Sequence, residues 1–369
     1  MLKLEYIWIG GNGELRSKVK VLQNKSNLMG RKNNSLKTVL KNAPEWNYDG
    51  SSTSQATGSD SEVILRPVAC FYNPFNNLES SSNCSSYLIL CDTYLPEGTP
   101  HDTNNRNKAL TIFSNEKYNC NNVDPLFGLE LEFFVFDSKT NQPLGFTGEG
   151  DTTTGAQGPY YCSVGHGNCY GRDFLENCLD NCIKAGLPVT GSNMEVCCGQ
   201  MEIQICSTGI SAGDNNIVLK YILERTGESY GYRIDYSAKP IKGDWNGSGC
   251  HVNYSTKKMR EENGIAHIMS AIEKLSTKHL EHIAVYGEDN NERLTGLHET
   301  SSMEKFTHGV ADRGASIRIP RTTQVNQCGY FEDRRPSASA DMYLVTSIIY
   351  ETCSSPLDRI LSIDEDTHS

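Results

Sequence analysis

The sequence predicts an α+β fold, with a small β-rich N-terminal domain over residues 1–97 and a larger mixed domain over residues 98–369. Three observations predict it. The first stretch reads as strands separated by polar turns. Helical periodicity begins only after "PEGTPHDTNNRNKALTIF". From there, strand-like segments carrying acidic residues alternate with helices.

The elements follow in order. "EYIWIGGNGELRSKVKVL" predicts a hairpin turning at Gly10 to Gly13, and "SEVILRPVACFY" and "SSYLILCDTY" predict two more strands. The polar stretches "QNKSNLMGRKNNS" and "NPFNNLESSSNCSS" predict loops, the second as an insertion. Further on, "GRDFLENCLDNCIKAG" predicts a helix closed by Gly186, and "GDNNIVLKYILERTGES" one capped by Asp214. "GIAHIMSAIEKLSTKHLEHIAVYG" predicts a helix with Ile265, Ile268, Met269, Ile272 and Leu275 on its buried face and His267, His279 and Glu281 off it. No internal repeat is present.

Composition narrows the function. The 369 residues carry a net charge of −11 without a long basic stretch, which disfavours nucleic acid and anionic membranes as partners. No apolar run reaches the roughly 18–20 residues of a membrane helix. The N-terminal "MLKLEYIWIGGNGELRSK" lacks the pattern of a secretory or transit peptide, so a cytoplasmic location is expected. The 14 cysteines are scattered through apolar segments, as reduced thiols acting as small hydrophobes would be. Cys162, His166 and Cys169 come nearest a zinc pattern but lack the remaining ligands of a structural site.

The acidic residues are more informative. In "FGLELEFFVFD", Glu130 and Glu132 lie two apart on a predicted strand and share a face. Adjacent carboxylates in apolar surroundings require positive charge nearby. "NMEVCCGQMEIQI" predicts a hairpin about Gly199-Gln200, with Glu195 and Glu202 on its two arms and Gln204 sharing a face with Glu202. "GDWNGSGCHVNYST" leads a glycine-bearing loop into a strand with His251, Asn253 and Ser255 on one face. "GYFEDRRP" sets Glu332 beside Arg334 and Arg335. Each segment alone has an ordinary explanation: a solvated strand face, a hydrogen-bonded core histidine, a local ion pair. Together, five acids and one histidine in apolar contexts suit Mg²⁺ or Mn²⁺, and six ligands imply at least two ions.

Arginines supply the complementary charge. Arg313 and Arg318 lie in "ADRGASIRIPR", Arg293 in "NERLTGLHET" and Arg334 in "EDRRP". Their guanidinium forks suit carboxylate and phosphate. Arg321 and Arg335 read instead as surface ion-pairing residues. With no Walker A segment, metals and convergent arginines point to phosphoryl transfer outside the P-loop class.

The segments "PEWNYDGSST", "GPYYCSVG", "GDWNGSGCHVNYST", "RLTGLHET", "RGASIRIPR" and "GYFEDRRP" resemble glutamine synthetase of the eukaryotic, type II kind, in order along nearly the whole chain. The resemblance implies a β-grasp-like N-terminal domain and a catalytic α+β domain whose antiparallel sheet lines the active site. It implies ATP-dependent synthesis of L-glutamine from L-glutamate and ammonium through a γ-glutamyl phosphate, with two or three Mg²⁺ or Mn²⁺ ions per site. Glu132, Glu195 and Glu202 match the ligands of one metal, and Glu130, His251 and Glu332 those of another beside the nucleotide phosphates. Arg313 and Arg318 match the phosphate clamp, and Arg293, Arg334 and the Trp245-Asn246-Gly247 loop match the glutamate site. Asn253, Tyr254, Ser255 and Tyr330 match the nucleotide pocket. Asp49 matches the acid that deprotonates ammonium, and Glu299 the flap residue that closes over the acyl phosphate. The resemblance also implies a double-ring homo-oligomer, a decamer or an octamer, in which Asp49 serves the neighbouring subunit.

The chain departs from the family pattern at Leu126, Leu129, Cys197, Cys198, Met201, Glu292, Ser339 and Met342. None of these is a matched ligand or catalytic acid; they bear on nucleotide packing and subunit contacts. Two other readings stand beside the leading one. A ligase joining glutamate to a larger amine would need a wider ammonium pocket than an intact Asp49 and Glu299 suggest. A non-catalytic structural relative would be expected to have lost metal acids or arginines, and every matched position is retained.

Overall fold

The computed structural model describes residues 1–23, 35–76, 84–119, 123–146 and 158–355. Much of the two polar stretches expected as loops, residues 24–34 and 77–83, lies outside that set.

The N-terminal sheet has five strands: β1 Leu2–Ile9, β2 Leu15–Leu22, β3 Trp46–Asp49, β4 Glu62–Tyr72 and β5 Ser85–Tyr94, ordered β2-β1-β5-β4-β3. The expected hairpin joins β1 to β2, with Gly13 in the left-handed region at φ 80°. The central pair β1–β5 is parallel and its other neighbours are antiparallel, as a β-grasp-like domain requires. β1 is buried on both faces. Leu4, Tyr6 and Trp8 pack with Val39, from the helix Leu36–Asn42, in one core, while Ile7 joins the larger core beyond. Glu5 is buried between the two parts of the molecule and accepts hydrogen bonds from Asn73 (2.8 Å), Tyr221 (2.5 Å) and Arg225 (2.7 Å). A second bridge sets Arg106 between Asp92 (3.4 Å) and Asp214 (2.7 Å). The small sheet is therefore held to the rest by charge as well as by apolar area.

The larger sheet runs β6 Leu126–Asp137, β7 Gln142–Pro143, β8 Val189–Met194, β9 Gln200–Thr208, β10 Tyr232–Asp235, β11 Cys250–Ser255, β12 His308–Val310, β13 Ile317–Ile319 and β14 Phe331–Asp333. Its main path is β12-β13-β14-β11-β6-β9-β8, antiparallel except for β12–β13. Strand alternation sorts β6 into two faces. Leu129, Leu131, Phe133 and Val135 enter the main core. That core also draws on the helices Arg172–Ala185, Ser211–Tyr230, Ile265–Thr277 and Met342–Ser354. Glu130 and Glu132 point the other way.

The structure corrects several local expectations. Asp214 is not an N-cap: its helix begins at Ser211, and its carboxylate is held by Arg106 and by the Tyr343 hydroxyl at 2.7 Å. The long predicted helix is two, Ile265–Thr277 and His279–Ile283, parted at Lys278. Its buried face is Ile268, Ala271, Ile272 and Leu275, and Met269 is exposed. His279, expected off that face, is buried between the Met303 carbonyl (2.8 Å) and Arg335 (2.9 Å). Arg335 is the largest correction. It is fully buried, paired with Asp333 at 2.7 Å on the core side of β14. Strand parity explains this: Glu332 and Arg334 face the acidic side, so Asp333 and Arg335 must face the core, where a charge persists only when paired.

Candidate active site

Strand register assembles the acids. On β6 and β9, Glu132 stands opposite Glu202 and Glu130 opposite Gln204. On β11, His251 pairs with Glu130, and Asn253 pairs with Glu332 of β14. Arg318 on β13 is opposite Glu332 and donates to it at 3.0 Å. Glu195 belongs to the hairpin turn just past β8 rather than to an arm, its N–H bonded to the Gln200 carbonyl at 2.9 Å. The turn swings its carboxylate over the strand acids. Two groups result, Glu132 with Glu195 and Glu202, and Glu130 with His251 and Glu332. Within each, one donor atom per residue lies within 4.8 Å of the others.

Electrostatics distinguishes the two groups. Burial, reinforced by neighbouring carboxylates, pushes Glu202 up to about 9 and Glu195 to about 8, and burial raises Glu132 as well. These three acids have too little positive charge around them to ionise together. Asn193 donates to Glu195 at 2.9 Å, Gln204 to Glu202 at 2.7 Å and the Gly249 N–H to Glu132 at 2.7 Å. The second group has arginines: Arg334 meets Glu332 at 2.5 Å, opposite the Arg318 contact. Burial, with Arg334 close by, holds His251 well below its usual value, so its ring is neutral and a lone pair is available. Its Nδ1 lies 3.5 Å from Glu332 and 3.6 Å from Glu130. All-oxygen donors in one group and oxygens with an imidazole in the other fit hard or borderline divalent cations.

One cleft is lined by Glu132, Glu195, Asn246, Gly247, His251, Arg293, Glu299, Arg313 and Arg334. Arg293 is buried, lowered to about 10 by that burial, with its guanidinium against His251 (3.2 Å) and the Arg334 carbonyl (3.1 Å). Glu299 caps the cleft, pairing with Arg313 at 2.5 Å, while its carbonyl accepts from Arg334 at 3.3 Å. His298 and Glu299 both hold left-handed backbone, φ 52° and 61°, conformations kept in non-glycine residues only when the surroundings impose them. Trp245 packs edge-on against Phe146 and flanks Asn246 and Gly247.

Other matched residues fall elsewhere. Asn253 and Ser255 share the acid-bearing face of β11 towards its far end, and Asn253 donates to Glu130 at 2.8 Å. Tyr330, just before β14, is partly exposed. Tyr254 is a correction. Its ring points into the core between Phe127 and Phe331, because alternation puts it on the opposite face from Asn253 and Ser255, so the side chain does not reach a nucleotide on the acidic face. Asp49 does not line the cleft. It is exposed in the small sheet, bonded to Ser51 at 2.6 Å and Ser52 at 3.2 Å. Glu292, a departure from the family pattern, forms an ion pair with Lys242, just before the Trp245-Asn246-Gly247 loop. Gln200, by sequence only a turn residue, opens β9, is buried and lines the cleft. Its position two residues before Glu202 was the available signal.

An α+β sheet presenting two carboxylate-rich groups able to hold cations beside convergent arginines fits a class: enzymes that handle anionic substrates with divalent metals. Comparison with known proteins narrows it. The family model "Glutamine synthetase, catalytic domain" matches residues 108–288. A putative glutamine synthetase of Acanthamoeba polyphaga mimivirus is 49% identical over 350 residues, covering 95% of this chain and 93% of that protein. Glutamine synthetase cytosolic isozyme 1-5 of Arabidopsis thaliana is 48% identical, covering 94% and 93%. The solved Plasmodium falciparum glutamine synthetase shares the fold, with a TM-score of 0.72 at 16% identity over 95% of this chain and 71% of that one. The chain belongs to the glutamine synthetase family.

Proposed function

We propose that this chain synthesises L-glutamine from L-glutamate, ammonium and ATP, releasing ADP and phosphate, in a cytoplasmic, double-ring homo-oligomer. The observation that carries the reading is the pairing of two cation-ready groups on one sheet face, with Arg293, Arg313 and Arg334 around the adjoining cleft. Glu132, Glu195 and Glu202 would hold one Mg²⁺ or Mn²⁺, and Glu130, His251 and Glu332 another. When bound, such ions neutralise the carboxylate and phosphate charges that would otherwise repel.

The protein's own groups account for the rest. Arg293 and Arg334 hold glutamate, while Asn253, Ser255 and Tyr330 border the nucleotide. A γ-carboxylate oxygen of glutamate attacks the terminal phosphorus of ATP, and ADP leaves. Arg313 and Arg318 balance the charge that develops on the transferring group. Glu299 closes the site and keeps water from the acyl phosphate. Ammonium becomes nucleophilic only after losing a proton, which Asp49 of an adjacent subunit accepts. Ammonia then attacks the acyl carbon, phosphate leaves, and Glu299 takes the second proton.

The test is an assay of ADP and amide with L-glutamate, ATP and Mg²⁺, offering ammonium, hydroxylamine or a polyamine. Glutamine formed stoichiometrically with ADP from ammonium, and the hydroxamate from hydroxylamine, is the expected result. Amide formation from the polyamine alone would overturn the reading in favour of a larger amine, and ATP turnover with none of the three would leave no ligase.

A further inference from the structure

Gln200 opens β9 and is 1% exposed, yet it lines the active-site cleft. Its Nε2 donates to the Gly247 carbonyl at 3.0 Å and to Glu132 Oε2 at 3.3 Å. Its Oε1 is buried and accepts no hydrogen bond among the described residues. Turning the amide over does not help, since Oε1 would then face a carbonyl and a carboxylate, both acceptors. A buried amide oxygen without a donor costs about 1–3 kcal/mol, so a donor supplied from outside the chain is the natural complement.

Its position says which donor. Gln200 pairs with Phe134 on β6, whereas Ser255 pairs with Leu126. Those positions on β6 are eight residues apart, roughly 26 Å at ~3.3 Å per residue. Gln200 thus sits on the same face as Glu202 but at the end remote from Asn253 and Ser255, beside the loop that carries Asn246 and Gly247. A neutral acceptor there takes a cationic donor without competing for the metals that claim Glu132, Glu195 and Glu202.

We propose that Gln200 is a substrate-specificity residue, its Oε1 accepting from the α-ammonium group of the amino-acid substrate while its Nε2 fixes Glu132 and the Gly247 carbonyl. The inference rests on the glutamate reading above and adds the group that tells an α-amino acid from a plain dicarboxylate.

The experiment compares L-glutamate with glutarate, which lacks the α-ammonium group, in the assembled enzyme and its Q200M and Q200N forms. Loss of a hydrogen bond to a charged group is worth about tenfold or more. Q200M is therefore expected to raise KM for L-glutamate about tenfold, to cut the glutamate-over-glutarate preference by a similar factor and to leave KM for ATP unchanged. Q200N keeps the amide but shortens its reach and should lose the preference as well. Should Q200M fail to fold, Q200N decides. An unchanged preference in either variant overturns the proposal. Wild-type enzyme that turns over neither substrate refutes the underlying reading instead, so the two failures are distinguishable.

Discussion

Glu132 of β6 and Glu202 of β9 face each other directly across an antiparallel pair, both buried. Like charges so placed repel, and Glu195 is added above them by the hairpin turn. The metal-free chain must hold protons there. Glu195 and Glu202 titrate near 8 and 9 when folded, against an ordinary glutamate value of about 4.3 in the unfolded chain. Between about pH 4.5 and 9 the folded state therefore binds more protons than the unfolded one, and stability falls as pH rises through that window. Chelator-treated protein should melt at progressively lower temperature from pH 6 to pH 9. Added Mg²⁺ or Mn²⁺ should raise the melting temperature more at pH 9 than at pH 6, since the metal displaces those protons. A flat profile without metal would mean the acids are paired by something else.

Glu299 reaches Arg313 from a left-handed backbone position over the cleft. Replacing it with Ala should leave ATP binding unchanged and uncouple the reaction, so that ADP exceeds glutamine as water intercepts the acyl phosphate. The ratio of the two products is the measurement. A parental rate of glutamine formation from that variant would remove Glu299 from the flap role.

Asp49 is exposed and lies outside the cleft of its own chain. Asp49→Ala should raise KM for ammonium, and mixing it with a second variant defective at Arg318 should recover part of the activity in hybrid oligomers. Sites complete within one chain would show no recovery.

The Asp333–Arg335 pair lies directly beneath the acid-bearing side of β14, both residues fully buried and joined to Tyr286. Asp333→Asn leaves a buried guanidinium uncompensated and should cost about 3–5 kcal/mol of stability. Replacing both residues with apolar ones of similar volume should cost less than either single change, as denaturant unfolding would report.

This pair also marks the limit of what the sequence discloses. The shared face of Glu130 and Glu132 and the face of His251 and Asn253 follow from period-two alternation in strongly apolar strands; the hairpin between Glu195 and Glu202 is legible too, although Glu195 sits in its turn and not on an arm. The positions misjudged are those where a side chain's chemistry argues against its parity. Arg335 looks like a surface charge, but strand alternation sends it into the core. Tyr254 looks like part of the nucleotide pocket and is turned away by the same rule. Asp214 has a capping residue's chemistry but is claimed by Arg106, more than a hundred positions away, and Gln200, two residues before Glu202 on the same face, gains its place only when tertiary structure sets it beside Glu132 and Gly247.

Manganese binding tests the central claim most directly. Titrating the purified assembly with Mn²⁺ by calorimetry or electron paramagnetic resonance should reveal at least two sites per chain, with one lost in Glu202→Gln and a different one lost in His251→Ala. A wild-type chain that binds no Mn²⁺, or both variants retaining every site, would contradict the assignment of these two groups to metal.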